Sequence, residues 1–416
     1  AIELGVKAID KIDRLDNNFP KFFSSLADAY RLRADLNVIK DERSSFKDYQ
    51  KSVKLLEFMG DIIYEDDYLD WTVERLAKSY FSIKEYEKAL EAYKRLFEKS
   101  KTKTYQAALG IGNVYDAMGN FPEARNYYLE CLWISKEDPA AYDKLMNLHR
   151  SNGNYNEAIK WQQRMNVLKL SKKALDYGHF IIGILYEEKG EENKAIDVFR
   201  YIVTERQPDS LIALDHLITL LISIKEYREA IKWLQEKIKI STNILWDYCR
   251  LGDCYLALKY NSEALEYYNK PLSTNPKFIP SLQRLAKWYE SNEQNGKAIE
   301  ILNRIIDLID NEHSHGLYKW LGDLYLKLKD EASALDAYNK SLEIKPRQYE
   351  IYDRTERITK KNKGILSLHQ AINKLEIQYN DSPDDPELAT QIINLCLSSD
   401  QKEYAKKIQK YLVFSI

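Results

Sequence analysis

Glycine and proline are scarce in this chain of 416 residues, at 14 and 10, about half their usual share. Strand-rich folds need frequent turns, so the scarcity argues against them and for long helices joined by short connections. Cysteine is scarce too. Four in this length (Cys131, Cys249, Cys254 and Cys396) do not make a disulfide scaffold. They favour a reducing compartment, the cytoplasm first, and leave an oxidising one open. No run of 18 apolar residues is present, so no segment is expected to insert in a membrane. No signal peptide reads at the start either. The chain begins at Ala1, without Met, inside what reads as a helix, which suggests a fragment or a processed chain. A missing signal or anchor therefore carries little weight. Neither sign of charge prevails: 62 Lys and Arg face 64 Asp and Glu, and a net charge of −2 exerts no global pull toward nucleic acid or anionic membrane. With 44% apolar and 30% charged residues, the chain is not disordered, and its length allows two to three ordinary domains.

What is present is a repeat. Leu251-Gly-Asp-Cys-Tyr255 returns as Leu321-Gly-Asp-Leu-Tyr325, each followed by alanine (Ala264, Ala334), an aromatic (Tyr268, Tyr338) and a proline (Pro276, Pro346) at matching offsets. Filling in the interval gives repeats starting near 70, 105, 139, 176, 211, 245, 279 and 315. Numbering each from 1, position 7 is Leu or Ile throughout. Position 8 is small in six repeats: Ala77, Gly112, Gly183, Gly252, Ala286 and Gly322. Position 11 is tyrosine in six, and position 20 is alanine in all eight, from Ala89 to Ala334. Position 24 is usually large, as at Tyr93, Tyr128, Phe199, Tyr268 and Tyr338. Positions 4, 7, 8 and 11 share one helical face, and 20, 24 and 27 share a face of a second helix. A turn falls between them near Gly119, Gly153 and Gly190. Small residues at 8 and 20 are expected to let the helix pair approach closely. Each pair leaves an apolar face that only the next pair can bury, so the units must stack.

This pattern resembles the tetratricopeptide repeat family, strongly over residues 70–348 and less well in the flanks. Leu26, Ala27 and Tyr30 echo positions 7, 8 and 11, with a late second helix around Tyr49 to Phe58. After Pro346 the pattern fades at Thr355 and Glu356, then partly returns at Asp385-Pro386 with Ala405 as the position-20 residue. The resemblance implies an all-α fold, a right-handed superhelical α-solenoid. The expected organisation is a capping region with one lengthened unit at 1–69, eight repeats at 70–348, and degenerate units with a C-terminal cap at 349–416, in one continuous solenoid.

Motifs for chemistry are weak. His149 sits at the tyrosine position 11 and reads as a core residue. His313-Ser-His315 has only Asp310 and Glu312 nearby as further ligands. Cys249 and Cys254 are five apart on one helix, so their side chains diverge. Gly110-Ile-Gly112 lacks the third glycine and the strand of a dinucleotide loop. Asn339-Lys-Ser341 and Asn380-Asp-Ser382 fit the glycosylation triplet, which arises readily by chance. The basic run Lys360-Lys361-Asn362-Lys363 reads as a solvated connection. No metal, cofactor or catalytic residue is expected.

The resemblance further implies that positions 2, 5, 9 and 12 of the first helices face a groove. One stretch of that face is apolar: Tyr177, Phe180, Ile184, Ile212 and Ile222, preceded by Leu109, Asn113 and Asn147. An exposed apolar strip marks a binding surface, and the alternative is that Phe180 and Ile184 are covered by neighbouring helices. From 245 onward the face is charged, with Trp246, Arg250, Asp253, Lys287, Lys319, Asp323 and Arg354. Some members of the family grip a peptide's terminal carboxylate with Lys at position 5 and Asn at 9. Here Asp323 follows Lys319, and Leu109 precedes Asn113, so that clamp is not supported. The expected function is a non-catalytic scaffold for partner proteins or extended peptides in a multiprotein assembly. The alternatives are a substrate-recognition fragment of a larger enzyme and, against the charge balance, RNA binding. Partner identity, compartment and oligomeric state are not given by the residues.

Overall fold

The computed structural model describes residues 19–37, 42–60, 66–99, 104–168, 170–346, 348–361 and 386–398. Among them are twenty α-helices and no strand. Lys363, Asp385, Ala405, the triplet at Asn380 and most of the flanking units lie outside the described residues. The helices are α1 Phe19–Asn37, α2 Glu42–Gly60, α3 Asp66–Ser82, α4 Tyr86–Lys99, α5 Thr104–Ala117, α6 Phe121–Ile134, α7 Pro139–Ser151, α8 Tyr155–Asn166, α9 Lys172–Glu188 and α10 Glu192–Tyr201. They continue as α11 Leu211–Ser223, α12 Tyr227–Ile240, α13 Leu245–Ala257, α14 Asn261–Thr274, α15 Ile279–Ser291, α16 Asn295–Ile306, α17 His315–Lys327, α18 Glu331–Ile344, α19 Tyr349–Lys361 and α20 Pro386–Ser398. From α3 to α18 they fall into eight successive helix pairs. The chain divides into two compact units, 1–220 and 221–416. Within α1–α10 and within α12–α19 each helix packs on its neighbours in the chain, the arrangement of a tandem α-solenoid.

The local causes repeat with the sequence. Position 15 closes the first helix of every pair with a left-handed residue. Its φ runs from 60° to 79° at Lys84, Gly119, Gly153, Gly190, Lys225, Lys259, Glu293 and Lys329. Glycine takes this conformation without strain; the four lysines and Glu293 carry a steric cost. All eight alanines of position 20 have no exposed surface. A larger side chain there has nowhere to go.

Position 8 works differently from the expected approach of two backbones. A Cβ at Gly112, Gly183, Gly252 or Gly322 would enter the ring of Tyr128, Phe199, Tyr268 or Tyr338. The small residue is thus the seat of the position-24 ring of its own pair. Those rings are fully buried or nearly so, and each contributes the large apolar area of an aromatic side chain to the core.

In the N-terminal flank α1 and α2 pack together, with Leu26, Ala27, Tyr30 and Tyr49 all buried. A forked ion pair braces the two helices: Arg33 of α1 holds Asp48 of α2 through Nε at 2.5 Å and Nη2 at 2.6 Å.

Candidate functional site

In the unit 1–220, α5, α7 and α9 and the start of α11 carry the apolar stretch. Tyr177 and Ile212 are its most exposed members, at 64% and 65%. Both occupy position 2 of their repeats, Tyr177 in the second turn of α9 and Ile212 in the first turn of α11, and both side chains are exposed. Asn147 is exposed as well. Phe180 is half-buried. Its ring meets Phe199 at 5.7 Å and His216 at 5.5 Å, and His216 stacks on Phe199 at 5.1 Å. His216 is fixed in turn by the Glu187 carboxylate, 2.8 Å from Nδ1. Leu109 is half-buried and packs against the core beneath it. The strip therefore contains two kinds of residue: Phe180 and Leu109 belong to packing, while Tyr177 and Ile212 project into solvent.

Position 9 has a second task that the linear pattern hides. The Tyr128 hydroxyl donates to Asn113 Oδ1 at 3.0 Å, Tyr268 donates to Asp253 at 2.9 Å, and Tyr338 donates to Asp323 at 2.6 Å. Each joins position 24 to position 9 of the same pair. Where position 24 is Phe199, which has no hydroxyl, position 9 is half-buried Ile184. The apolar stretch thus begins with a matched exchange of both partners. Keeping the tyrosine without its acceptor would leave the hydroxyl of a buried side chain without that partner.

In the unit 221–416 the same acceptors are braced by arginine from the following pair. Arg284 donates to Asp253 through Nε at 2.8 and 2.9 Å, with Nη2 at 2.8 Å, a forked ion pair. Arg354 reaches Asp323 through Nη1 alone and donates to Glu350 through Nη2 at 2.7 Å, while Lys319 reaches Glu350 at 2.6 Å. At the other end of the chain Arg75 forks onto Asp28 at 2.5 and 2.6 Å. Burial disfavours the charge on Arg284, but Asp253 outweighs it, and the guanidinium is held more basic than usual. Burial, then Asp253, raises the Tyr268 phenol; burial, then Glu350, pushes Tyr338 up to about 12. Both hydroxyls keep their protons and remain donors at neutral pH.

Asp253, Asp323, Lys319 and Arg354 are therefore engaged with one another's neighbours. A cavity of about 550 Å³ opens beside this network, lined by Glu290, Asp323, Lys327, Arg354, Arg357 and Ile358. Arg250 lies 3.8 Å from Asp247. Lys287 is exposed and Ile222 half-buried. Trp246 is 51% exposed, with its ring edge against Phe278 at 5.7 Å and Arg284 at 5.8 Å from its centroid. Like Tyr177 and Ile212, it stands at position 2. The sequence marks Tyr268 and Tyr338 only as large packing residues, and it does not mark Arg284, His216 or Glu350 as part of this surface. The available signal was the recurrence of Asp at position 9 and Arg thirty-one residues later, twice over.

Among the described residues no group of three His, Cys, Asp or Glu is placed to hold a metal ion, and no helix is long and apolar enough to cross a membrane. Burial pushes the thiols of Cys131, Cys249 and Cys254 up to about 12, 11 and 11, far from the reactive range.

Fold and surface together define a tandem helix-pair solenoid that presents side chains from its first helices. Comparison with known proteins gives the class its name. Tetratricopeptide repeat family models match residues 44–279 and 316–348, and the chain belongs to that family. It is 22% identical over 315 residues to Hsp70-Hsp90 organizing protein 2 of Arabidopsis thaliana, covering 73% of this chain and 53% of that one. It is also 22% identical over 280 residues to a TPR repeat-containing protein of Methanocaldococcus jannaschii, covering 66% and 44%. The chain spans about half the length of the curated relatives it matches. Among solved structures, the C-terminal part of a TPR repeat-containing protein from Cytophaga hutchinsonii aligns with a TM-score of 0.47 at 16% identity, over 58% of this chain and 97% of that one.

Proposed function

We propose that the chain is a non-catalytic scaffold that binds a partner protein or extended peptide on the face made by its first helices. The observation that carries this is the exposure of Tyr177 and Ile212 at equivalent positions of successive repeats, beside a Phe180 cluster held rigid from behind. Large apolar side chains with no covering helix, standing on a fixed platform, are what a partner can bury at little ordering cost. Trp246 repeats the position in the second unit. The braced charges at Asp253, Asp323, Lys319 and Arg354 set the electrostatic character of the surface, because their own hydrogen bonds are already taken.

The role named by the Hsp70-Hsp90 organizing relatives is not carried over. Lys319 is engaged by Glu350, and Asp323 stands where the carboxylate clamp needs a neutral donor.

Photo-crosslinking tests the reading. A benzoylphenylalanine placed at position 212 or 177 should form adducts with a discrete partner in extract of the native cell. One placed at Lys232, on the exposed side of α12, should not. Equal labelling from all three positions would remove the first-helix face as the binding surface.

A further inference from the structure

The second helices carry a vacancy that the chain itself fills elsewhere. In the repeat starting at 245, Tyr267 at position 23 lies flat on Tyr255 at position 11, centroids 5.1 Å apart and 8° from parallel. Tyr248 at position 4 flanks it at 6.2 Å, and the Lys270 ammonium sits 3.9 Å from the Tyr267 centroid while pairing with Glu266 at 2.9 Å. The repeat at 105 builds the same stack from Tyr127 and Tyr115, 5.8 Å apart. The repeat at 315 keeps the frame and omits the ring. Tyr318, Tyr325 and Lys340 hold positions 4, 11 and 26, and Lys340 pairs with Asp336 at 2.9 Å, as Lys270 does with Glu266. Position 23 is Ala337, and a cavity of about 350 Å³ opens among these residues. The repeat at 176 is the counterpart in the other unit. There His179 and Tyr186 stand at positions 4 and 11, Val198 is at 23, Tyr201 takes the place of lysine at 26 with its ring 5.5 Å from His179, and the cavity is about 460 Å³.

We propose that the Ala337 cavity binds a tyrosine side chain of a partner protein, whose phenol ring takes the place that Tyr267 fills from within the chain, and that the Val198 cavity is a second site of the same kind. The occupant follows from the two filled repeats, since in both the ring at position 23 is a tyrosine stacked on a tyrosine. Offset stacking needs a flat partner at this separation. At the Ala337 cavity Lys340, already paired with Asp336 and 6.0 Å from the Tyr318 centroid, adds a cation–π contact. Both volumes lie in the range of small-ligand pockets. The sites use none of the residues of the proposed first-helix surface, so the two readings stand or fall separately.

The probe is p-cresol, the side-chain analogue of tyrosine, titrated into the full chain while the ring resonances of Tyr318, Tyr325 and Tyr186 are followed by NMR. Saturable shifts at all three are expected. Ala337→Tyr should supply the missing ring, keep the wild-type melting temperature or exceed it, and abolish the shifts at Tyr318 while those at Tyr186 persist. Val198→Tyr should do the reverse. Tyr325→Leu, which removes the stacking face without filling the space, should weaken binding at Tyr318 at least tenfold, and it keeps the test open if Ala337→Tyr does not fold. Non-saturating shifts in the wild type overturn the proposal, as does undiminished binding in either Ala337→Tyr or Tyr325→Leu.

Discussion

His149 occupies a position given to tyrosine in six of the eight repeats, and it has no hydroxyl to send toward solvent. Its ring is 6% exposed, edge-on to Phe121 at 5.2 Å, and neither ring nitrogen has a hydrogen-bond partner. Burial, then the nearby Arg125, holds its pKa below the ordinary histidine value of 6.5. The folded chain therefore resists a proton that the unfolded chain accepts. Stability is fully present above pH 6.5 and falls as the pH drops from there toward the folded pKa, by at most about 1.4 kcal/mol per unit for one proton. His149→Tyr should flatten the melting temperature between pH 7 and pH 5 relative to the wild type, read by circular dichroism. A variant as acid-sensitive as the parent would place the titrating group elsewhere. The burial of His149 could be read from its register alone. The bracing of Asp253 and Asp323 could not. The tyrosine that donates to each lies fifteen residues away on another helix, and the arginine belongs to the next pair, so the contacts exist only once the pairs are stacked.

At the scale of the helix pair, geometry turns two kinds of glycine into opposite predictions. Gly252 sits against the buried ring of Tyr268, and a Cβ there would fall far inside contact distance. Alanine is normally the better helix former by up to about 1 kcal/mol. Even so, Gly252→Ala should destabilise by about 1–3 kcal/mol, because a rigid ring in a full core cannot retreat. Gly296, in the first turn of α16, meets nothing within 4 Å, and Gly296→Ala should leave the melting temperature unchanged or raise it. Should both variants melt alike, position 8 is not the seat of the ring. The left-handed position 15 gives a third case. Lys259 has φ of 65°, and Lys259→Gly should stabilise by about 1 kcal/mol in urea unfolding. The turns at Gly119, Gly153 and Gly190 were visible in the sequence because glycine announces them. The five equivalent turns made by lysine and glutamate were not, since those residues carry no turn signal and obey the repeat register instead.

In the whole molecule, stability is close to a sum of pair and neighbour terms, so damage at one repeat stays near it and unfolding need not be two-state. The period, the helix pairing and the core faces were readable because each was written eight times. The surface was only half readable. Exposure separates Tyr177, Ile212 and Trp246 from Phe180 and Leu109, yet all five are simply large and apolar in the sequence. That separation is the centre of the functional argument. Its most direct test is the affinity of Tyr177→Asp combined with Ile212→Asp for the crosslinked partner, by calorimetry, with thermal melting of the same sample. Two apolar side chains buried only in the complex are worth roughly 1.5–3 kcal/mol each, so affinity should fall about a hundredfold or more while the melting temperature stays within about 2 °C of wild type. Unchanged affinity in a folded double variant would contradict the assignment of the binding face.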